Sequence, residues 1–145
     1  MSLWHQPPSL EQINRSHAGT AVSQLGIEFT DIGDAHLVAR MPVDARTRQP
    51  AGLLHRGATM LLAETLASCA AWQTIDRTKT DAVGLEINAN HVRAAREGWV
   101  TGRVTAIHAG RSTQIWEVRV TDDKERLVSI ARVTISLIPK AAPPA

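Results

Sequence analysis

From Gly57 to Ile75 the chain runs nineteen residues without a proline or a second glycine, and Glu64 is the only carboxylate or basic side chain among them. Helix-forming residues dominate the run, so the spacing predicts one long helix from about Gly57 to about Ile75. Small residues recur along it (Ala58, Ala63, Ala67, Ser68, Ala70 and Ala71), which would let a curved sheet wrap closely around it.

The strand signals lie on both sides of this run. Two alternating stretches, Gly26 to Ile32 and Ala35 to Met41, are separated by the hairpin signal Gly33-Asp34. Four more follow the helix: Val83 to Arg93, Trp99 to His108, Thr113 to Val120, and Leu127 to Ile138. Glu97-Gly98, Ala109-Gly110 and Thr121-Asp122-Asp123-Lys124 mark the turns between them. Alternation sets Trp116, Val118 and Val120 against Glu117 and Arg119. It likewise sets Leu127, Ala131, Val133, Ile135 and Leu137 against Arg132, Thr134 and Ser136. Ser9-Leu10-Glu11-Gln12 has the spacing of a capping box and opens a short first helix. A sheet of mainly consecutive hairpins must cover its apolar face, and only the long helix is large enough to do so. The expected fold is α+β, an antiparallel sheet wrapped around one central helix, in a single domain over residues 1–145 with a loose tail from about 140.

Composition narrows the function. One cysteine, Cys69, excludes an internal disulfide and a multi-cysteine metal site, and fits a reducing cytoplasm. The first residues lack the basic-then-apolar pattern of a signal peptide, and no apolar run reaches the ~18 residues of a membrane span. Thirteen of the sixteen basic residues are arginine. Arg93, Arg96, Arg103 and Arg111 stand against one acid, Glu97, between positions 93 and 111. That surplus suits a small ligand bearing phosphates. It is thin for a nucleic-acid groove, and four scattered tryptophans with Phe29 provide no stacking platform.

Glu64 is the first candidate for chemistry. Met60, Leu61, Ala67, Ser68 and Ala71 lie three, four or seven positions away, which places the carboxylate on an apolar helical face. Burying it there is costly unless it is paired or protonated, and such a group suits general-base or nucleophilic work. A helical glutamate more often just reaches water; the lack of other charge on this helix argues against that here. Just before the helix, Leu53-Leu54-His55-Arg56-Gly57 would present unpaired amides and the positive end of the helix dipole, a setting that can hold the negative oxygen of an acyl-transfer intermediate. Gly57 and Glu64 are seven residues apart, ~10 Å along the axis, too far for one small carbonyl to touch both ends of this span. If both act on one substrate, two helices must contribute, most simply in a two-fold dimer with antiparallel central helices. A third cluster, Gly84 to Arg93, places His91 and Arg93 by alternation on the strand face of Leu85 and Ile87.

Met41-Pro42-Val43-Asp44, the run Gln49 to Ala58, Leu62-Ala63-Glu64 and the run Val83 to Arg93 together closely resemble the hot-dog-fold acyl-CoA thioesterases, over about Leu10 to Leu137. The resemblance implies the hot-dog fold, paired subunits often joined as dimers of dimers, and sites across the dimer interface. It implies hydrolysis of an acyl-CoA or aryl-CoA thioester, with Glu64 as general base or nucleophile. Gln49 and His55 would orient thioester and water, the amide of Arg56 would hold the oxyanion, and Thr65 and Ser68 would line the same region. Coenzyme A would lie near Gly84, His91, Val92, Arg93 and Ala94 and along the turn His108, Ala109, Gly110, Arg111, Ser112 and Thr113. It arrives as part of the substrate, so neither a separate cofactor nor a metal is expected. Ala51, Met60, Cys69 and Trp72 would border the acyl pocket. Two other functions remain open: a hot-dog hydratase or dehydratase, and a non-catalytic acyl-CoA-binding protein. The sequence departs from the family in reading His55-Arg56-Gly57 where the relatives usually have His-Gly-Gly.

Overall fold

The computed structural model describes residues 1–145. Its elements run α1 (Leu10–Ser16), α2 (Ala21–Gln24), β1 (Glu28–Ile32), β2 (His36–Pro42), α3 (Arg56–Gln73), β3 (Thr80–His91), β4 (Trp99–Ala109), β5 (Thr113–Thr121) and β6 (Leu127–Pro139). All six strands belong to one antiparallel sheet in the order β1-β2-β4-β5-β6-β3. The long helix packs on five of them. This is the hot-dog fold, α+β as expected.

One feature of the topology departs from a run of hairpins. β3 pairs with β6, not with β2 or β4, so it forms the edge farthest from β1. α3 makes this crossing possible. Its eighteen residues span ~27 Å, enough to carry the chain across the four strands β2, β4, β5 and β6 at ~4.8 Å spacing.

Strand alternation decides what faces the helix. Leu37, Ala39 and Met41 from β2, Val100 and Val104 from β4, Trp116, Val118 and Val120 from β5, and Val133 and Ile135 from β6 are fully buried. They meet Leu62, Ala63, Leu66, Ala67 and Ala70 of α3. Each large side chain so enclosed contributes about 1.5–3 kcal/mol. The alternation read for β6 fails at its start. A register shift opposite Val120 and Thr121 makes Val128 an extra residue in the ladder, so Val128 is buried and Leu127 only half-buried.

α3 starts one residue earlier than the pattern suggests and stops two earlier. His55 caps its start: Nδ1 accepts from the Gly57 N–H at 2.8 Å. At the other end Thr74 is the C-cap, its hydroxyl bonded to the Ala71 carbonyl. Half of the capping box expected at Ser9 forms: Ser9 Oγ accepts from the Gln12 N–H, without a return bond from the Ser9 N–H to the Gln12 side chain. α2 was not legible, because four residues between Gly19 and Gly26 are too few to show a period. Asn14 pins α1 to the sheet, accepting from Phe29 N–H and donating to Phe29 C=O. Residues 140–145 follow β6 without helix or strand and are exposed.

Candidate active site

Two clefts open along α3, and they divide the chemically competent residues between them. The first, about 510 Å³, lies between α3 and the N-terminal helices. Glu64, Thr65, Ser68, Cys69, Trp72 and Gln73 of α3 face Ser9, Gln12, Ile13, Ser16, His17 and Val22 across it. Glu64 stands in a half-exposed stripe with Met60, Leu61 and Ser68, while the sheet-facing side is Leu62, Ala63, Leu66 and Ala70. The carboxylate is therefore beside the core rather than on the apolar face that the spacing implied. Ser68 Oγ donates to its Oε1 at 2.9 Å. On the strand side, a Cβ built on Gly84 would come within 2.6 Å of Oε1. A side chain at position 84 would push the carboxylate from this position, so Gly84 belongs to the Glu64 site and not to the His91 region.

Cys69 lies on the wall of this cleft, yet burial pushes its thiol up to about 12, which leaves it protonated and unreactive at neutral pH. The imidazole of His17 stacks on Phe29, and its Nδ1 donates to the Ile13 carbonyl at 2.9 Å.

The second cleft, about 350 Å³, lies at the start of α3. Gln49, His55, Arg56, Thr59, His91, Arg93 and Ala94 are among its lining residues, and no carboxylate is. Because His55 Nδ1 accepts from Gly57, its N–H is at Nε2. The Gly57 amide is thus occupied, whereas the Arg56 N–H has no partner within the chain. Non-glycine residues avoid positive φ everywhere but at Glu125, so Arg56 has an ordinary helical backbone and presents its amide without strain. The His55 ring lies against Gly57, where an added Cβ would meet it at 2.9 Å. This locates the need for glycine at position 57 and frees position 56 to carry a side chain. The side-chain carbonyl of Gln49 accepts from Ala51 N–H, leaving its amide donors unpaired. Burial holds His91 below its ordinary value, and the nearby Arg56 charge adds to the effect.

Several expected groupings are not formed within one chain. Glu64, Thr65 and Ser68 share one cleft while Gln49, His55 and Arg56 share the other. The turn His108, Ala109, Gly110, Arg111, Ser112 and Thr113 stands at the far end of α3, where Gln114 donates to Thr74 Oγ1, about a helix length from Arg93 and Ala94. Val92 is exposed and lines neither cleft. A bulge between Gly84 and Glu86 takes Leu85 out of the alternation: it is 65% exposed, whereas Ile87, Ala89 and His91 are half-buried. Arg93 falls beyond the strand end. Trp72 and Cys69 border the Glu64 cleft as expected, but Ala51 and Met60 do not. Sequence reading missed the opposing wall. Its signal is the polar row Ser9, Gln12 and Ser16, at helical spacing along α1. No group of three or more His, Cys, Asp or Glu side chains is placed to hold a metal ion, and no helix is long and apolar enough to cross a membrane.

Residues 51–129 match the model of the thioesterase superfamily. The 1,4-dihydroxy-2-naphthoyl-CoA hydrolase of Escherichia coli is 44% identical over 136 residues, 94% of this chain and 99% of that protein. The proofreading thioesterase EntH of Cronobacter turicensis is 43% identical over 136 residues, 94% of this chain and 98% of that protein. The crystal structure of a mutant of thioesterase PA1618 from Pseudomonas aeruginosa superposes with a TM-score of 0.95 at 46% identity, covering 96% of this chain and 100% of that one.

Proposed function

The chain belongs to the thioesterase superfamily and is a thioester hydrolase, and from that premise we propose that it cleaves an acyl-CoA or aryl-CoA thioester to the free acid and coenzyme A, with Glu64 as its base. The observation that carries this reading is the Glu64 carboxylate itself. It is open to a cleft of acyl size, held through Oε1 by Ser68, and given space by Gly84.

Water positioned by Glu64 gives up a proton to the carboxylate as its oxygen bonds to the thioester carbon. The carbonyl electron pair moves onto oxygen, where the free Arg56 N–H at the positive end of α3 holds it. His55 Nε2–H and the unpaired Gln49 amide orient the thioester. The C–S bond then breaks, and the proton on Glu64 passes to the departing thiolate, which restores the carboxylate. CoA phosphates lie toward the cationic side of the second cleft, on Arg93, with His91 beside it.

Each site on this reading is shared by two chains, since Glu64 and the Arg56 amide are ~12 Å apart along one helix. Two surfaces support pairing. The free edge of β3 exposes Val83 and Leu85, and the stripe of Met60, Leu61 and Glu64 on α3 is only half covered. The turn from His108 to Thr113 then contributes to a CoA site only from another subunit, which suits a dimer of dimers. A single buried cysteine suits work in a reducing cytoplasm.

Thiol release from short, long and aromatic CoA thioesters tests the reading. Glu64→Gln should lower turnover about 100-fold or more while coenzyme A still binds. Near-normal turnover in the folded variant would remove Glu64 from the chemistry. Binding without thiol release by the unaltered protein would make it an acyl-CoA binder.

A further inference from the structure

The Glu64 cleft carries a carboxylate at one end and a guanidinium at the other. Glu64 lies at one end and Arg77, just past the helix, at the other. No other carboxylate, lysine or arginine lines it, and the α1 wall supplies hydroxyl and amide groups. Eight residues of helix separate Glu64 from Trp72, whose carbonyl and ring hold the Arg77 guanidinium, so the two charges lie about 12 Å apart along the α3 axis.

Arg77 is held rather than free. Its Nε donates to the Trp72 carbonyl at 3.3 Å, and its guanidinium lies over the Trp72 ring, 5.4 Å from the centroid. No carboxylate comes within ion-pair distance of it. The adjacent Asp76 is engaged instead by Lys79 and Thr78. Its terminal nitrogens are thus unpaired, on a guanidinium anchored at the end of the cleft opposite the reacting carboxylate. A guanidinium in this setting matches a carboxylate by two parallel hydrogen bonds.

Resting on the hydrolase reading above, we propose that Arg77 is a specificity-determining residue and that the acyl group carries a second, distal carboxylate. The substrate class is the half-thioester of a dicarboxylic acid, on the order of eight carbons long or built on one aromatic ring. The thioester carbon sits at Glu64, the chain or ring runs over Trp72, and the far carboxylate pairs with Arg77. A second carboxylate would be disfavoured near Glu64, so the separation of the two charges also fixes which end of the acyl group reacts.

The test compares octanedioyl-CoA, which has one free carboxylate, with octanoyl-CoA of equal length. The expected result is a higher kcat/KM for octanedioyl-CoA. In Arg77→Gln that preference should fall about 10-fold, mainly through KM, and Arg77→Lys should restore part of it. An 8-aminooctanoyl-CoA substrate should show the opposite order, poor in the natural protein and improved in Arg77→Glu. Equal kcat/KM for the two thioesters, or an equal loss on both in Arg77→Gln, overturns the assignment while leaving thioester hydrolysis intact. Failure to release thiol from any CoA thioester would overturn the hydrolase reading itself and this proposal with it.

Discussion

The two clefts along α3 differ in what each lacks. The cleft beside α1 holds a carboxylate with its hydroxyl partner and an acyl-sized interior, but not the start of α3. The cleft at the helix N-terminus holds an unpaired amide, an imidazole N–H and two arginines, but no acid. Hydrolysis of a thioester needs a base on one side of the carbonyl and a donor to its oxygen on the other, so on the proposed reading each cleft is half of a site. One straight helix holds the halves apart, and a second, antiparallel helix would bring them together.

The strongest way to break that comparison is to separate the halves genetically. Glu64→Gln and His55→Ala are each expected to be inactive as homodimers. After subunit exchange at equal amounts, half of the dimers are mixed and carry one intact site of two, so activity should return to about a quarter of the natural level. Confirmed exchange without recovery would show that a single chain completes its own site.

A smaller effect is expected from Gly84→Ala. The added methyl would meet Glu64 Oε1 at 2.6 Å and displace the carboxylate from Ser68. kcat should fall about 10-fold while KM for the CoA moiety holds. The comparable change Gly57→Ala acts in the other cleft, pushing the His55 ring off its cap, and tests whether the two halves respond separately.

The smallest effect concerns Arg56. His91 is held below its ordinary value first by burial and second by the Arg56 charge, so Arg56→Gln should raise its pKa without bringing it to the ordinary value. The sign for stability follows. An unfolded chain protonates His91 near pH 6.5, before the folded one, so stability is lost as pH falls below that point, and the variant should lose less. An NMR titration of His91 measures the first effect and unfolding at two pH values the second. The peptide N–H stays in place, so kcat should remain within about threefold. A large gain would show that the arginine obstructs the oxyanion position.

Much of this was legible in the sequence for identifiable reasons. The long helix showed itself because the eighteen residues after Gly57 lack any breaker, and β5 because one face is buried and the other wet. Glu64 stood out as the lone charge on that helix. His55, standing just before the helix, was legible as a capping residue, whereas the crossover of β3 to the far edge was not, since it depends on which elements become neighbours. The same holds for the bulges at Leu85 and Val128, where one extra residue inverts the alternation downstream.

The sequence by itself determined the helix, the strands and the residue types able to do chemistry, because periodicity and charge are local properties of the chain. Only the tertiary structure decided which of those residues share a cleft. Spacing along α3 sets the distance from Arg56 to Glu64, but the side of the helix each faces depends on α1 being pinned by Asn14 and on β3 lying beside Glu64. Arg77 shows the same division: in the sequence it is one of thirteen arginines, and only the fold sets it at the end of a cleft that begins at a carboxylate.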